Sequence, residues 1–315
     1  MASKERGPNL IRKYVWVLET ICRAKEKGIT FNELNEKWME DDISGGVDLP
    51  KRTFNNWRYV IADLFQIDID CKTNSGEYRY YIRNEAELTK DGLRSWLYNT
   101  ISVSNALLNS QKIKDRILLE YVPSGQDHLY TIIEAMKENR VLSITYYSYR
   151  KDEEYSFDVQ PYCVKLFRQR WYMVALSTYT YYKEKGPRLY ALDRIKSLQT
   201  TEETFEMPKE WSAEDYFYGC FGIIAEQSVK METVKLKVKA SQANYIRDLK
   251  MHESQKETER NDEYSIFEYY LRPQYDFIQE LLWHGEGMEV LEPLTLREQI
   301  IGKIEAMLNN YNSTV

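Results

Sequence analysis

The chain has 315 residues, of which 43% are hydrophobic and 29% charged, a composition typical of soluble globular proteins with two or three domains. Its formal net charge of −6 argues against a protein that coats nucleic acid or membranes indiscriminately, but not against a locally basic face. The sequence shows no membrane-length apolar run, no CxxC pair among its four cysteines and no signal peptide, so we expect a cytoplasmic protein without a structural zinc site.

Hydrophobic residues at three- and four-residue spacing predict three helices near the start of the chain. An amphipathic helix covers Leu10 to Cys22, and a shorter one covers Phe31 to Trp38, with Thr30 as its N-cap. A third helix should begin near Pro50, because proline is tolerated in the first turn. The apolar stripe of this third helix consists of Phe54, Trp57, Ile61 and Leu64.

Two short alternating runs follow the third helix, at residues 66–71 and 78–82. The polar sequence Thr73-Asn74-Ser75-Gly76 joins them, which predicts a β-hairpin. Three helices and a hairpin in this order are typical of a winged helix-turn-helix, which we place at residues 1–83.

The third helix has a basic and polar face opposite its apolar stripe, with no acidic residue between Pro50 and Val60. Arginine and asparagine pair bidentately with base edges in the major groove, while lysine and arginine bind phosphates. We therefore predict that this face binds double-stranded DNA; the alternative is a basic face that is simply solvated. The predicted DNA-binding residues are Lys51, Arg52, Thr53, Asn55, Asn56, Arg58 and Tyr59.

Residues 84–139 have helical periodicity and are interpreted as a helical connector. Asn84 and Glu87 have the spacing of a capping box at its start. A further helical stretch is predicted from Ile113 to Leu119, and another at residues 129–136.

From Val141 the apolar period changes to two, and a series of short strands predicts a small, strongly curved sheet or barrel at residues 140–208. Two of its strands carry more arginine and tyrosine than a core requires. Because side chains alternate along a strand, Trp171 and Tyr172 face opposite sides. We predict that Trp171 faces the core and that Arg170 and Tyr172 face outward.

These residues resemble the WYL domain, a family named after a Trp-Tyr-Leu triplet that here reads Trp171-Tyr172-Met173. The other matching landmarks are Gln160-Pro161-Tyr162, Arg188-Leu189-Tyr190-Ala191-Leu192-Asp193-Arg194-Ile195 and Phe205-x-Met207-Pro208. The resemblance implies an Sm-like β-barrel that acts as a ligand sensor in bacterial transcription factors, with nucleic acid as the ligand in some members.

Carried over position by position, the resemblance also implies a set of ligand-binding residues. Arginine is a planar, permanently charged fork that suits phosphates and stacking, and tyrosine adds rings and hydroxyls. For Arg194 the alternative is a structural pairing with Asp193 or another carboxylate. The predicted ligand-binding residues are Tyr146, Arg170, Tyr172, Arg188 and Arg194.

Residues 209–315 read as β-α-β-α-β-α, which predicts a small α/β sandwich. Lys235, Lys237 and Lys239 alternate with apolar residues, which predicts an edge strand with a lysine face, either solvated or phosphate-binding. The predicted later elements are a helix at 242–249, a strand at 264–271, a helix between Pro273 and Gly285, a strand at 288–291 and a helix from Leu296. This segment is similar to the extension that accompanies WYL domains, and we expect it to provide a dimer contact and a lid for the ligand site.

The sequence contains no GxSxG, HExxH, Walker-type or GxGxxG motif, and its histidines are dispersed, so we expect no enzyme, cofactor or metal site. The overall prediction is a multidomain α+β protein, a homodimeric DNA-binding transcriptional regulator. Its effector would be an anionic ligand, for example single-stranded nucleic acid or a nucleotide. The alternative is a nucleic-acid-binding accessory or defence-associated WYL protein that does not regulate transcription.

Overall fold

The computed structural model describes residues 7–74, 76–84, 92–109, 116–118, 124–179 and 186–312. The chain divides into two compact units, residues 1–120 and 121–315. Both units combine helices with antiparallel sheets, which confirms the multidomain α+β prediction. The helical stretch predicted from Ile113 to Leu119 falls mostly outside the described residues, and Glu87 falls wholly outside them.

The first unit has the order of elements predicted for a winged helix-turn-helix. Its elements are α1 (Gly7–Arg23), β1 (Ile29–Thr30), α2 (Phe31–Glu40), α3 (Lys51–Phe65), β2 (Ile69–Asn74), β3 (Glu77–Ile82) and α4 (Leu93–Asn109). The three strands form one sheet in the order β1-β3-β2. Thr30 caps α2 as predicted: its hydroxyl accepts the Glu33 N–H at 3.2 Å, and the Glu33 carboxylate accepts the Thr30 N–H at 2.8 Å.

Aromatic contacts hold the first three helices together. The ring of Trp57 on α3 lies 5.7 Å from the rings of both Tyr14 and Trp38. Leu64, however, is exposed, and Phe65 is buried in its place, so the predicted stripe was wrong at its last position. The reason is α4, whose Tyr98 packs edge-on against Phe65 at 6.2 Å.

The predicted connector is shared between the two units. The predicted capping box lies partly outside the described residues. The Asn84 side chain accepts the Asp68 N–H at 2.9 Å and donates to the Gln66 carbonyl at 2.8 Å, which fastens the end of the hairpin. Helix α4 packs on the core of the first unit through Tyr98 and Ile101. Helix α5 (Gln126–Lys137) instead packs on the sheet of the second unit.

The first half of the second unit is a five-stranded antiparallel sheet in the order β7-β6-β5-β4-β8. Its strands are β4 (Arg140–Ser148), β5 (Glu153–Phe167), β6 (Arg170–Ser177), β7 (Arg188–Ala191) and β8 (Ile195–Thr204). The edge strands β7 and β8 are joined only by the 3₁₀ turn Leu192–Arg194. The sheet must therefore curl until its edges approach each other at this end, in agreement with the predicted strongly curved sheet.

The second half contains α6 (Ala213–Phe217), β9 (Glu232–Lys239), α7 (Ala240–Asp248), β10 (Lys256–Arg260), β11 (Tyr264–Leu271), α8 (Tyr275–Trp283), β12 (Met288–Glu292) and α9 (Leu294–Asn312). Its sheet has the order β10-β11-β9-β12, so the prediction of β9 as an edge strand was wrong. On the lysine face, Lys235 pairs with Glu292 at 3.0 Å, and Lys237 lies over the Tyr264 ring at 4.5 Å. Strand β10 was missed because it contains no apolar residue.

Candidate functional site

A tight hairpin places Arg170 at the first position of β6. Phe167 and Arg170 pair across a two-residue loop. Both loop residues, Arg168 and Gln169, have left-handed backbone, with φ of 47° and 63°. Such loops match the twist of the flanking strands, although each non-glycine residue there costs on the order of 1 kcal/mol. The loop fixes the register of β6 and therefore which side chains reach each face.

The two faces of β6 are both covered. Trp171 packs with Met173 against the barrel core, which confirms that part of the prediction. Tyr172 lies on the opposite face but is only 9% exposed, so the expectation that it faces solvent was wrong. The residue opposite it on β5, Lys165, donates to the Gly222 carbonyl at 2.5 Å. The segment after the barrel therefore runs over this face, which strand periodicity alone cannot reveal.

Arg170 is bound to Asp193 through a hydrogen bond from Nη2 to Oδ2. Only 10% of the Asp193 side chain is exposed. Burial lowers the pKa of the Arg170 guanidinium, but the hydrogen bond and charge of Asp193 outweigh that effect, so its pKa is raised overall. Asp193 is thus the partner of Arg170, whereas the sequence had suggested it for Arg194.

Arg194 stacks on a tyrosine that the sequence analysis did not identify. Its guanidinium carbon lies 3.8 Å from the centroid of the Tyr149 ring. Tyr149 belongs to the turn between β4 and β5 and is 61% exposed. Stacking holds the planar cation in one orientation. Only the curvature of the sheet brings this turn to Arg194, and no local sequence signal records it.

Tyr146 lies beside Arg194. Its hydroxyl accepts the Ala191 N–H at 3.2 Å, and its ring packs edge-on against Tyr190 at 5.3 Å. Burial raises the pKa of Tyr146, while the Ala191 hydrogen bond and the Arg194 charge partly oppose the shift. The hydroxyl therefore stays protonated at neutral pH.

Three buried polar atoms at this site have no hydrogen-bond partner among the described residues: Arg170 Nε, Asp193 Oδ1 and Arg194 Nε. Buried polar atoms are nearly always hydrogen-bonded, so each of these needs an explanation. A bound group with both acceptor and donor atoms could satisfy them together. We refer to the set Tyr146, Tyr149, Arg170, Asp193 and Arg194 as the arginine cluster.

The structure does not bring Arg188 into the arginine cluster. Arg188 is exposed at the start of β7, opposite Ala175 on β6. It lies three residues before Ala191, which corresponds to about 10 Å along a strand. Of the five predicted ligand-binding residues, Tyr146, Arg170 and Arg194 come together, Tyr172 is covered, and Arg188 lies apart.

Gly125 allows the start of α5 to approach the turn that carries Asp193 and Arg194. Its φ is +67°, and a Cβ atom there would lie 2.4 Å from Leu192 Cβ and 2.5 Å from Asp193 N. We expect Gly125→Ala to destabilise the second unit by about 2–4 kcal/mol, because backbone strain and overpacking add. Urea unfolding measures the change. Gly186→Ala is the matched control, since its φ is +76° but nothing lies within 4 Å, so an equal loss there would contradict the packing argument.

The loop beside Arg170 also contacts the C-terminal domain. Arg168 forms an ion pair with Glu280 on α8. The rings of Phe167 and Phe221 lie 6.3 Å apart, and those of Phe221 and Phe277 5.4 Å apart. A shift of the hairpin at the arginine cluster would therefore directly change the contacts of α8.

In the first unit, α3 presents most of the predicted DNA-binding residues. Lys51, Arg52, Asn56 and Tyr59 are exposed, and Thr53 and Asn55 are half-buried. Arg58 instead donates from Nε and Nη2 to the Ile69 carbonyl at 3.1 and 2.5 Å. Its guanidinium also lies over the Tyr80 ring at 5.1 Å, so it holds the hairpin against α3.

The start of α3 is fixed relative to α2 by two side chains. The Leu49 N–H donates to Asn35 Oδ1 at 2.8 Å, and Trp38 Nε1 donates to the Val47 carbonyl at 2.8 Å. These contacts close the loop that connects the helices. The exposed basic face of α3 is therefore presented by a rigid support.

Within the described part of the chain, no helix has both the length and the apolar character needed to cross a membrane. The same residues contain no group of three or more His, Cys, Asp and Glu side chains arranged to hold a metal ion.

Two solved structures resemble the chain at low identity. Proteasome accessory factor B/C (PafBC) of Arthrobacter aurescens is 16% identical with a TM-score of 0.41, over 98% of this chain and 48% of that one. A CRISPR Cas-related protein is 13% identical with a TM-score of 0.39, over 99% of this chain and 88% of that one. The chain thus spans about half the length of PafBC. No curated protein sequence matches it.

Two family profiles match within the second unit. The WYL domain matches residues 127–200, which contain nearly all of α5 and of the curled sheet and the whole arginine cluster. The WCX domain matches residues 230–308, from just before β9 into α9. The chain is therefore a WYL-domain protein, in which a WYL domain is followed by a WCX domain.

Proposed function

We propose that this chain is a ligand-responsive transcriptional regulator, whose first unit binds operator DNA and whose WYL domain senses an anionic ligand. The observation that carries the proposal is the arginine cluster, where two guanidinium groups converge with unsatisfied buried donors. Nothing in the proposal requires a catalytic step or a cofactor.

The exposed face of α3 supports the DNA-binding part. Lys51 and Arg52 lie at its N-terminal end, where backbone N–H groups also point outward and favour phosphate. Asn56 and Tyr59 lie further along the exposed face and are placed to reach base edges or sugars. Because Arg58 is bound to Ile69, we leave it out of the proposed contact set.

The charge balance of the arginine cluster supports an anionic ligand. Asp193 neutralises Arg170, whereas Arg194 is stacked on a neutral ring, which leaves one uncompensated positive charge within the cluster. The exposed ring of Tyr149 offers a surface for stacking beside that charge. A nucleotide or a short single strand combines a planar base with a phosphate and matches both features.

The hairpin loop supports a route from ligand to DNA-binding state. A ligand that binds one arrangement of the arginine cluster more tightly shifts the population toward that arrangement. Arg168 and the phenylalanine contacts carry this difference to α8 of the WCX domain. In a homodimer, such a change can alter the spacing of the two recognition helices and hence the affinity for an operator.

The function can be tested by selecting binding sites for the full chain from a library of random DNA duplexes. We expect enrichment of one sequence, and a change in affinity for it when a short single-stranded oligonucleotide is added. Mass spectrometry of molecules that co-purify with the chain identifies the natural ligand. If single strands bind but no duplex is enriched, the chain is an accessory nucleic-acid-binding protein and the regulator proposal is wrong.

A further inference from the structure

The C-terminal domain contains a cavity that the proposed function does not use. It has a volume of about 540 Å³ and lies between α9, the start of α8 and the segment that leads into β9. Pockets that bind small molecules commonly have volumes of this order. The floor of the cavity is apolar, whereas its two walls carry charged and amide side chains. The residues of the floor are Val229, Ile278 and Leu296.

Opposite charges line this cavity without pairing with each other. Lys303 lies on the wall formed by α9, and Glu226 and Glu232 lie on the wall formed by the segment into β9. Within the described part of the chain, none of the three forms an ion pair. One oxygen of Glu226 accepts the Ser228 hydroxyl at 2.9 Å, which leaves its other oxygen for a ligand. The cavity therefore separates two carboxylates from one ammonium group.

Gln274 adds a buried hydrogen-bond acceptor to the wall that carries the carboxylates. Its side chain lines the cavity and is only 3% exposed. Gln274 Nε2 donates to the Glu226 carbonyl at 2.8 Å, whereas Oε1 has no hydrogen-bond partner among the described residues. Buried amide oxygens nearly always accept a hydrogen bond, so a donor belongs beside this one. An ammonium group supplies such a donor and matches the charge of this wall.

Gly302 keeps the opposite wall of the cavity open. It lies within α9, where glycine is less favourable than alanine. A Cβ atom at this position would meet no atom within 4 Å, so packing does not require a glycine there. Its neighbour one turn later on the same wall is the equally small Ala306. The two small residues leave space for a ligand beside Lys303.

We propose that this cavity binds a basic α-amino acid. The ligand carboxylate lies at Lys303, and its two ammonium groups lie at Glu226 and Glu232, with one of them within reach of Gln274 Oε1. The methylene chain between these groups packs on the apolar floor. Two cationic groups and one carboxylate complement the charges of the walls. This site goes beyond the proposed regulator function, since it requires neither DNA nor a ligand at the arginine cluster.

Isothermal titration calorimetry of the full chain with three related molecules tests the charge pattern of the ligand. L-Lysine carries all three charged groups, cadaverine lacks the carboxylate, and ε-aminocaproate lacks the α-ammonium group. We expect L-lysine to bind with a dissociation constant below about 1 mM. The other two should bind at least about 10-fold more weakly, since each loses one charge-assisted hydrogen bond. Absence of L-lysine binding, or equal affinity for all three molecules, would overturn the proposal.

Removal of the Lys303 charge tests the position of the ligand carboxylate. In Lys303→Met, affinity for L-lysine should fall at least about 10-fold, whereas affinity for cadaverine should not fall, because cadaverine has no carboxylate to lose its partner. Lys256→Met is the matched control, since Lys256 is exposed on β10 and does not line the cavity, and it should bind both molecules as the wild type does. If Lys303→Met keeps the wild-type preference for L-lysine over cadaverine, the assignment is wrong.

Filling the cavity from Gly302 tests where the ligand binds. In Gly302→Leu the new side chain enters open space, so Tm should not fall below that of the wild type, while affinity for L-lysine should fall at least about 10-fold. Gly302→Ala adds a single carbon and should keep most of the affinity. Wild-type affinity in Gly302→Leu would show that L-lysine binds elsewhere. None of these measurements involves DNA or an oligonucleotide, so their failure is distinct from failure of the regulator proposal.

Discussion

Reversing the charges of Lys51 and Arg52 should abolish binding of the full chain to its selected DNA duplex. Both side chains are exposed at the start of α3, so Lys51→Glu/Arg52→Glu should leave the fold intact while it replaces two phosphate or base contacts by repulsion. We expect affinity to fall at least about 100-fold, since a single good arginine contact already contributes ~1–3 kcal/mol. Fluorescence anisotropy with a labelled duplex measures the loss.

The salt dependence of binding distinguishes a direct contact from a general charge effect. Each phosphate contact that is lost lowers the slope of log affinity against log salt by about 0.9. Lys27→Glu/Lys37→Glu is the control with the same change in net charge, because both lysines are exposed and line a pocket away from α3. We expect only a small loss of duplex affinity for this control. An equal loss for both variants would show that only net charge matters, and wild-type affinity in the α3 variant would mean that α3 does not read DNA.

Elements with a strong local signal were predictable from the sequence. Thr30 was predicted as the N-cap of α2, and the structure shows it there, with reciprocal hydrogen bonds between Thr30 and Glu33. Strand β11 was predicted with the bounds Tyr264–Leu271 that the structure shows, because aromatic and aliphatic residues alternate along it. Trp171 was assigned to the core because it alternates with Tyr172 along the strand, and it packs there.

The errors lie where a distant segment decides the environment. Tyr172 is buried because the chain near Gly222 returns over its strand, and Phe65 replaces Leu64 because α4 packs beside it. The lysine strand β9 resembles an edge strand in sequence, yet β12 pairs with it from the far end of the chain.

In the candidate sites, too, residues with a local sequence signal were predictable and residues placed by distant segments were not. The exposed residues of α3 could be derived from helical phase, but Arg58 is drawn away by a carbonyl on β2. In the arginine cluster, Arg170 and Arg194 were identified from the family resemblance. Tyr149 and the pairing of Asp193 with Arg170 became visible only in the folded sheet. The proposed ligand site is therefore built from contacts between turns that are separated along the chain.

The two arginines of the cluster should respond differently to removal. Arg194→Ala takes away the uncompensated cation on Tyr149 but leaves the Arg170–Asp193 pair intact. We expect affinity for a labelled single-stranded oligonucleotide to fall about 10-fold or more, since a charge-assisted contact contributes ~1.5–3 kcal/mol, with little change in Tm. Arg170→Ala leaves the Asp193 carboxylate buried without its cation, so it should also destabilise the second unit by about 2–3 kcal/mol.

Arg188→Ala serves as the matched control, because Arg188 is exposed at the other end of β7. Oligonucleotide affinity should stay near the wild type in this variant. The double variant Arg170→Ala/Asp193→Ala removes both charges of the pair. If it restores stability but not affinity, the pair stabilises the fold only by neutralising its own two charges, and the Arg170 guanidinium itself contacts the ligand. Should Arg194→Ala instead lower Tm without lowering affinity, the stacked arginine would be a fold contact, and the arginine cluster would not be the sensor. The two variants should differ because the Arg170 guanidinium is held by the Asp193 carboxylate, whereas the Arg194 guanidinium is held by the Tyr149 ring.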